Sequence, residues 1–78
     1  MEMVKKNKII GYTTGVFDLF HIGHVNLLNN AKSHCDELIV GVTSDDLVSY
    51  KNKKAVISQN ERLEIVRNIK AVDSVILQ

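Results

Sequence analysis

One apolar segment limits the folds open to this chain more than any other part of it. Residues Leu38 to Val42 read Leu-Ile-Val-Gly-Val, so an extended segment would be apolar on both faces. Two apolar faces are typical of a strand in a parallel sheet, where helices cover both sides. We therefore expect Glu37 to Thr43 to form a central strand of an α/β domain.

The flanking segments have the periodicity that such a domain needs. Lys8 to Thr13 is a short apolar run that predicts a first strand, and apolar residues recur at helical spacing from Ile22 to Ala31. Ser58 and Glu61 have the spacing of a capping box. That spacing predicts the start of another helix, which we expect from Gln59 to Ile69.

Three shorter segments complete the predicted topology. Ser44 to Ser49 begins with residues that cap helices and predicts a short helix, Tyr50 to Lys54 is a basic loop, and Val72 to Leu77 predicts a third strand. The order β-α-β-α-β is half of a Rossmann-like, doubly wound parallel sheet, and we expect a three-layer α/β/α form. Ligands of such sheets bind beyond the carboxyl ends of the strands.

Length, charge and cysteine content exclude several classes of protein. A chain of 78 residues predicts a single domain, 1–78, of marginal stability that a partner would raise. No apolar run approaches the roughly 18 residues of a membrane span, and a net charge of +1 argues against nonspecific nucleic-acid binding. The lone Cys35 cannot form an internal disulfide and Met1 to Lys8 lacks a signal peptide, so we expect a cytoplasmic protein.

The segment after the first strand carries the predicted chemistry. His21 and His24 lie three residues apart, which places both side chains on one face of a helix near its first turn. Backbone N–H groups and the positive end of the helix dipole attract phosphate there, and imidazole N–H donors can stabilise charge that develops on phosphorus. Two alternatives are an ordinary helix start with solvated histidines and a metal site that adds Asp18 as a third ligand.

The longer string gives this turn a family resemblance. Gly15 to His24, Gly-Val-Phe-Asp-Leu-Phe-His-Ile-Gly-His, closely resembles the H-x-G-H signature of the cytidylyltransferase-like nucleotidyltransferases. Within that superfamily it is most similar to the small bacterial glycerol-3-phosphate cytidylyltransferases. The resemblance continues through Leu38 to Asp46, Lys51 to Ser58 and Glu61 to Asp73, and so covers nearly the whole chain.

The resemblance implies a reaction, a cofactor and a set of site residues. The reaction is transfer of CMP from CTP to a small phosphorylated alcohol, glycerol 3-phosphate, with release of pyrophosphate and with Mg²⁺ bound through the nucleotide phosphates. His21, His24 and Lys51 would act in catalysis, and Lys51 and Asp18 would bind the acceptor. The residues that would bind the nucleotide are Val16, Phe17, His21, Gly23, His24 and Lys53.

The residues themselves leave other interpretations of these positions open. On composition alone, Lys51 to Lys54 is typical of a solvated basic loop. A carboxylate such as Asp18 often accepts hydrogen bonds from the backbone of its own turn, and Phe17 and Phe20 are expected to pack beneath the loop. Many relatives carry threonine at position 16; Val16 loses a hydroxyl contact but keeps a backbone N–H.

One motif of the resembling enzymes is missing from this sequence. Their second half carries an Arg/Thr-Gly-x-Ser-Thr stretch, and nothing like it occurs among these 78 residues. We therefore expect the chain to be the N-terminal part of a longer domain, or to be completed by a second copy in a homodimer. Two functional alternatives follow: an adenylyltransferase that uses ATP, and a nucleotide-binding half-domain without turnover.

Overall fold

The computed structural model of the protein describes residues 8–50 and 54–78. The elements in chain order are β1 (Ile10–Gly15), α1 (Ile22–Lys32), β2 (Glu37–Val42), α2 (Asp45–Tyr50), α3 (Gln59–Arg67) and β3 (Ser74–Leu77). The predicted order β-α-β-α-β is confirmed, with α2 as the predicted short extra helix. Strand β1 lies two residues later than predicted, which extends it to Gly15.

The three strands form one parallel sheet in the order β1-β2-β3. In its register Val40 lies beside Thr13 on one side and beside Val75 on the other. The central position predicted for β2 is therefore confirmed among the described residues. At the carboxyl edge, the Thr43 N–H continues the ladder by donating to the Gly15 carbonyl at 2.9 Å.

One face of the sheet carries the core. Leu38, Val40 and Val42 alternate along β2 and are fully buried on that face. Leu28 of α1 and Val66 of α3 belong to the same buried cluster, so both helices cover this face. Burying these side chains supplies the main favourable free energy of folding, about 1.5 to 3 kcal/mol for each large aliphatic residue.

The opposite face of the sheet is exposed to solvent along the described residues. Ile10, Tyr12 and Ile76 remain about half exposed on it. Tyr12 reaches across β2, because a Cβ atom on Gly41 would lie 2.5 Å from the Tyr12 hydroxyl. The Rossmann-like α/β fold is confirmed, and the described residues form two of the three predicted layers. Among these residues no helix has the length and apolar character to cross a membrane.

Helix α1 departs from its predicted stripe at its first residue. Leu28 is buried as expected, but Ile22, the first residue of the helix, is 70% exposed. The other end of α1 is fastened at the amino edge of the sheet. Lys32 contacts the Asp73 carboxylate at 2.6 Å, and that carboxylate also accepts the Leu38 N–H at 2.7 Å.

Candidate active site

The connection from β1 to α1 is built with two residues in the left-handed backbone region. Phe17 has φ of 55° and Leu19 has φ of 48°. For a residue with a side chain this conformation costs roughly 1 to 2 kcal/mol. Strain of this kind persists where the surrounding structure enforces it, and it concentrates at functional sites. Neither residue is a glycine or an asparagine, so this backbone conformation was not predictable from residue type.

Two aromatic rings support the turn from below. Phe17 is buried and Phe20 is half-buried against the core, so the predicted packing of both rings beneath the loop is confirmed. His24 stacks on Phe20 with ring centroids 4.9 Å apart and meets Phe17 edge-on at 5.6 Å. The His24 ring is therefore held in place by packing as well as by hydrogen bonds.

His21 and His24 cap the helix for each other. The Gly23 N–H donates to Nδ1 of His21 at 3.0 Å, and the His21 N–H donates to Nδ1 of His24 at 3.0 Å. Because each Nδ1 accepts a hydrogen bond, the proton of each neutral ring lies on Nε2. The two rings lie close together, with centroids 4.1 Å apart. The turn thus holds two neighbouring imidazoles in one tautomer.

This arrangement alters how an anion would meet the helix. The Gly23 N–H is engaged by His21 instead of pointing freely outward, and the imidazole Nε2–H groups add two donors at this helix start. A Cβ atom at position 23 would lie 2.7 Å from Cε1 of His21, so a larger residue there would displace the His21 ring. The two histidines and the glycine predicted from the sequence therefore form one structural unit.

The electrostatics keep His24 neutral. Burial lowers the pKa of His24 below its ordinary value of 6.5, and the neighbouring His21 lowers it further. Burial acts because it disfavours the charged form of a base, and His21 acts through repulsion between like charges. A neutral His24 keeps Nδ1 free to accept the His21 N–H.

Asp18 ties this turn to a distant segment of the chain. One carboxylate oxygen accepts the Val56 N–H at 2.8 Å, and the other accepts the Ile57 N–H at 2.9 Å and the Leu19 N–H at 3.1 Å. The bonds from Val56 and Ile57 hold the pKa of Asp18 below its usual range. The interpretation of Asp18 as a backbone acceptor is the one its contacts favour, and its contact with an acceptor substrate stays a prediction.

Arg62 is a site residue to which the sequence analysis gave no role. Its side chain is 0% exposed and donates from Nε to the Ile57 carbonyl at 2.8 Å. Nη1 donates to the Val16 carbonyl at 2.9 Å and to the Thr43 carbonyl at 2.6 Å, and Nη2 contacts Asp45. The available signal was an arginine four residues before Val66, on the buried face of α3.

A cavity of about 450 Å³ lies next to these contacts, beyond the end of β2. Its lining combines residues of α2 with the segment before α3: Asp45, Asp46, Ser49, Lys54, Ala55, Val56 and Ser58. Lys54 contributes a positive charge to the lining, and Asp45 and Asp46 contribute negative charges. The predicted site residues Lys51 and Lys53 fall outside the described residues.

The described residues bring some predicted site groups together and not others. The residues that the structure brings together lie in the connection beyond β1 and in the first turn of α1: Val16, Phe17, Asp18, His21, Gly23 and His24. The alternative metal site of Asp18, His21 and His24 does not form, since no three metal-ligating side chains are grouped within residues 8–50 and 54–78. His34 is exposed at the far end of α1.

Comparisons with known proteins point to one family. A family model described as cytidylyltransferase-like matches residues 12–78. FAD synthase from Thermococcus sibiricus is 42% identical over 76 residues, which cover 96% of this chain and 51% of that protein. The bifunctional protein HldE from Caulobacter vibrioides is 41% identical over 70 residues, which cover 87% of this chain and 14% of HldE.

A solved structure is also similar to this chain in sequence and in fold. The lipopolysaccharide core biosynthesis protein from Thermoplasma volcanium has 36% sequence identity and a TM-score of 0.88, over 92% of this chain and 59% of that one. The chain thus spans about half the length of the FAD synthase and a smaller part of HldE.

Proposed function

Because this chain belongs to the cytidylyltransferase-like family of nucleotidyltransferases, we propose that its β1 to α1 turn binds the triphosphate of a nucleotide for nucleotidyl transfer. The observation that carries this proposal is the reciprocal cap of His21 and His24, which leaves an Nε2–H donor on each ring. Two donors fixed before substrate arrives stabilise developing charge without further reorganisation.

Nucleotidyl transfer requires the protein mainly to position the two substrates and to stabilise negative charge. An oxygen of the acceptor phosphate attacks the α-phosphorus, a new P–O bond forms, and the bond to the bridging oxygen breaks as pyrophosphate leaves. The attacking oxygen is already ionised, so no general base is needed. His21 and His24 donate hydrogen bonds to the α-phosphate and to the bridging oxygen, where negative charge accumulates.

The acceptor lies in the neighbouring cavity in this proposal. The cavity has room for a small phosphorylated alcohol and receives the Lys54 side chain. Lys51 for the acceptor and Lys53 for the nucleotide remain the assignments implied by the family resemblance. A lysine suits this work because its charge sits on a long, adjustable stem.

The nucleotide has two candidates. The resemblance of the H-x-G-H string favours CTP with glycerol 3-phosphate as acceptor. The 42% identity to an FAD synthase favours ATP, because the product FAD contains an adenylyl group. The reaction class and the role of the histidines are the same in both cases.

Magnesium enters the proposal with the nucleotide. The triphosphate oxygens bind it, as is common for Mg²⁺ at nucleotide sites. The described residues do not gather three metal-ligating side chains, and both Asp18 oxygens accept backbone N–H groups. No step is therefore assigned to a protein-bound metal.

Calorimetric titration with CTP and with ATP, each with Mg²⁺, tests the proposal. His21→Asn keeps a side-chain oxygen that can cap the helix but removes the Nε2–H donor. We expect it to weaken nucleotide affinity about tenfold, the equivalent of about 1.4 kcal/mol. His34→Asn is the matched control at the other end of α1. Equal affinities of the two variants would contradict the proposal, and the mass of the chain in solution tests the predicted homodimer.

A further inference from the structure

Two side chains join the histidine turn to the segment that precedes α3. Asp18 accepts N–H groups from Val56 and Ile57, which lie 38 and 39 residues later in the chain. Arg62 donates to carbonyls of Val16 and Ile57, 46 residues before it and 5 residues before it. These bonds connect parts of the chain that no strand pairing brings together.

Ile57 is held at both of its peptide groups. Its N–H donates to Asp18 at 2.9 Å, and its carbonyl accepts from Nε of Arg62 at 2.8 Å. The same guanidinium donates to the Thr43 carbonyl just beyond β2. The segment before α3 is therefore held in place relative to the central strand. A planar, forked donor with fixed geometry suits a role of this kind.

The bonds also reach the lining of the cavity. Val56, bonded to Asp18, and Asp45, bonded to Arg62, both line it. The histidine turn and the cavity wall are therefore joined through two side chains, Asp18 and Arg62.

We propose that Asp18 and Arg62 are positioning residues that set the separation between the triphosphate site and the acceptor cavity. We call these two side chains and their hydrogen bonds the clamp. The inference rests on the proposed function, since it places one substrate at each of the two segments that the clamp joins. In-line attack requires the reacting atoms to lie about 3 to 3.5 Å apart, so a small displacement of one substrate against the other slows transfer.

Charge gives the proposal a distinctive test. Asp18→Asn removes a negative charge beside a site for an anion, and by electrostatics alone it would strengthen binding of a nucleoside triphosphate. The asparagine amide can accept only one of the two N–H groups, because its NH₂ group would face the other. A positioning role therefore predicts weaker binding, about fivefold to tenfold, against the electrostatic trend.

Two measurements on the full chain decide it. Amide hydrogen exchange without nucleotide is expected to speed up at least tenfold at Val56 and Ile57 in Asp18→Asn. Calorimetry with CTP and with ATP then gives the affinity of each variant. Asp73→Asn is the matched control, because Asp73 also joins a lysine and a backbone N–H, but at the amino edge.

The outcomes separate the clamp from the proposed function. Faster exchange and weaker binding in Asp18→Asn, with neither in Asp73→Asn, support the positioning role. Equal or tighter binding overturns it. If the unaltered chain binds neither nucleotide, the proposed function fails, and the exchange rates alone decide whether Asp18 holds the segment: unchanged rates overturn the clamp, and faster rates support it.

Discussion

Replacing Arg62 by methionine is expected to remove a large part of the stability of this domain. Methionine fills a similar volume but donates no hydrogen bond. The carbonyls of Val16, Thr43 and Ile57 would each lose the donor that now reaches them at 2.6 to 2.9 Å. These acceptors surround a side chain that is 0% exposed, so water does not readily replace the guanidinium.

The contacts allow the loss to be estimated. An unsatisfied buried acceptor costs about 1 to 3 kcal/mol, which for three carbonyls gives an upper range near 9 kcal/mol before any relaxation. Asp45 adds little, because its side chain is 48% exposed and its charge stays hydrated. Partial relaxation and rehydration of these carbonyls bring the expected loss to about 3 to 5 kcal/mol. A chain of 78 residues has a total of about 4 to 12 kcal/mol.

Urea unfolding followed by circular dichroism measures this loss. Arg67→Met is the matched control, since Arg67 lies on the same helix but is 58% exposed and pairs with an exposed Glu64. The control is expected to lose less than about 1 kcal/mol. A loss below about 1 kcal/mol in Arg62→Met, or equal losses in the two variants, would refute the reasoning from buried carbonyls.

Three further predictions concern the histidine turn. Folding lowers the pKa of His24, so the unfolded chain binds a proton at this residue more readily than the folded chain, and stability falls below about pH 6.5. The urea midpoint of the wild-type chain should therefore be lower near pH 5 than near pH 8, and the difference should be smaller in His24→Gln. An equal difference in the two chains would argue against this. Gly23→Ala displaces His21 and should weaken nucleotide affinity about tenfold in calorimetry. Its stability should change by under about 1 kcal/mol, because the helix preference of alanine offsets the lost cap. Leu19→Gly should match or exceed the wild-type melting temperature and Leu19→Val should lower it, because only glycine adopts φ of 48° without strain; a valine variant of wild-type stability would contradict this.

The periodic parts of the fold were predictable from the sequence. Strand β2 and helix α3 begin at the predicted residues Glu37 and Gln59, because apolar periodicity and a capping residue mark them locally. The Ser58 side chain accepts the Glu61 N–H, as the cap spacing predicted. The apolar stripe failed at Ile22, whose exposure depends on where α1 lies over the sheet.

The candidate site was predictable in position but not in construction. The string around His21 and His24 located the turn, yet the reciprocal histidine cap lies outside the residue types that usually begin helices. The left-handed residues Phe17 and Leu19 are imposed by packing around them. The buried Arg62 depends on carbonyls from three separate segments, which no local pattern brings together.

The shared position of β2 has a consequence for how the molecule loses its structure. The units β1-α1-β2 and β2-α3-β3 both contain this strand, so neither can remain folded once β2 is released. Global unfolding should therefore be all-or-none despite the small size of each unit. Strand β3, with four residues at one edge and only Val75 partly buried, can separate from β2 without disturbing the first unit. Its amides should exchange through local opening, while those of β2 report the full free energy of unfolding.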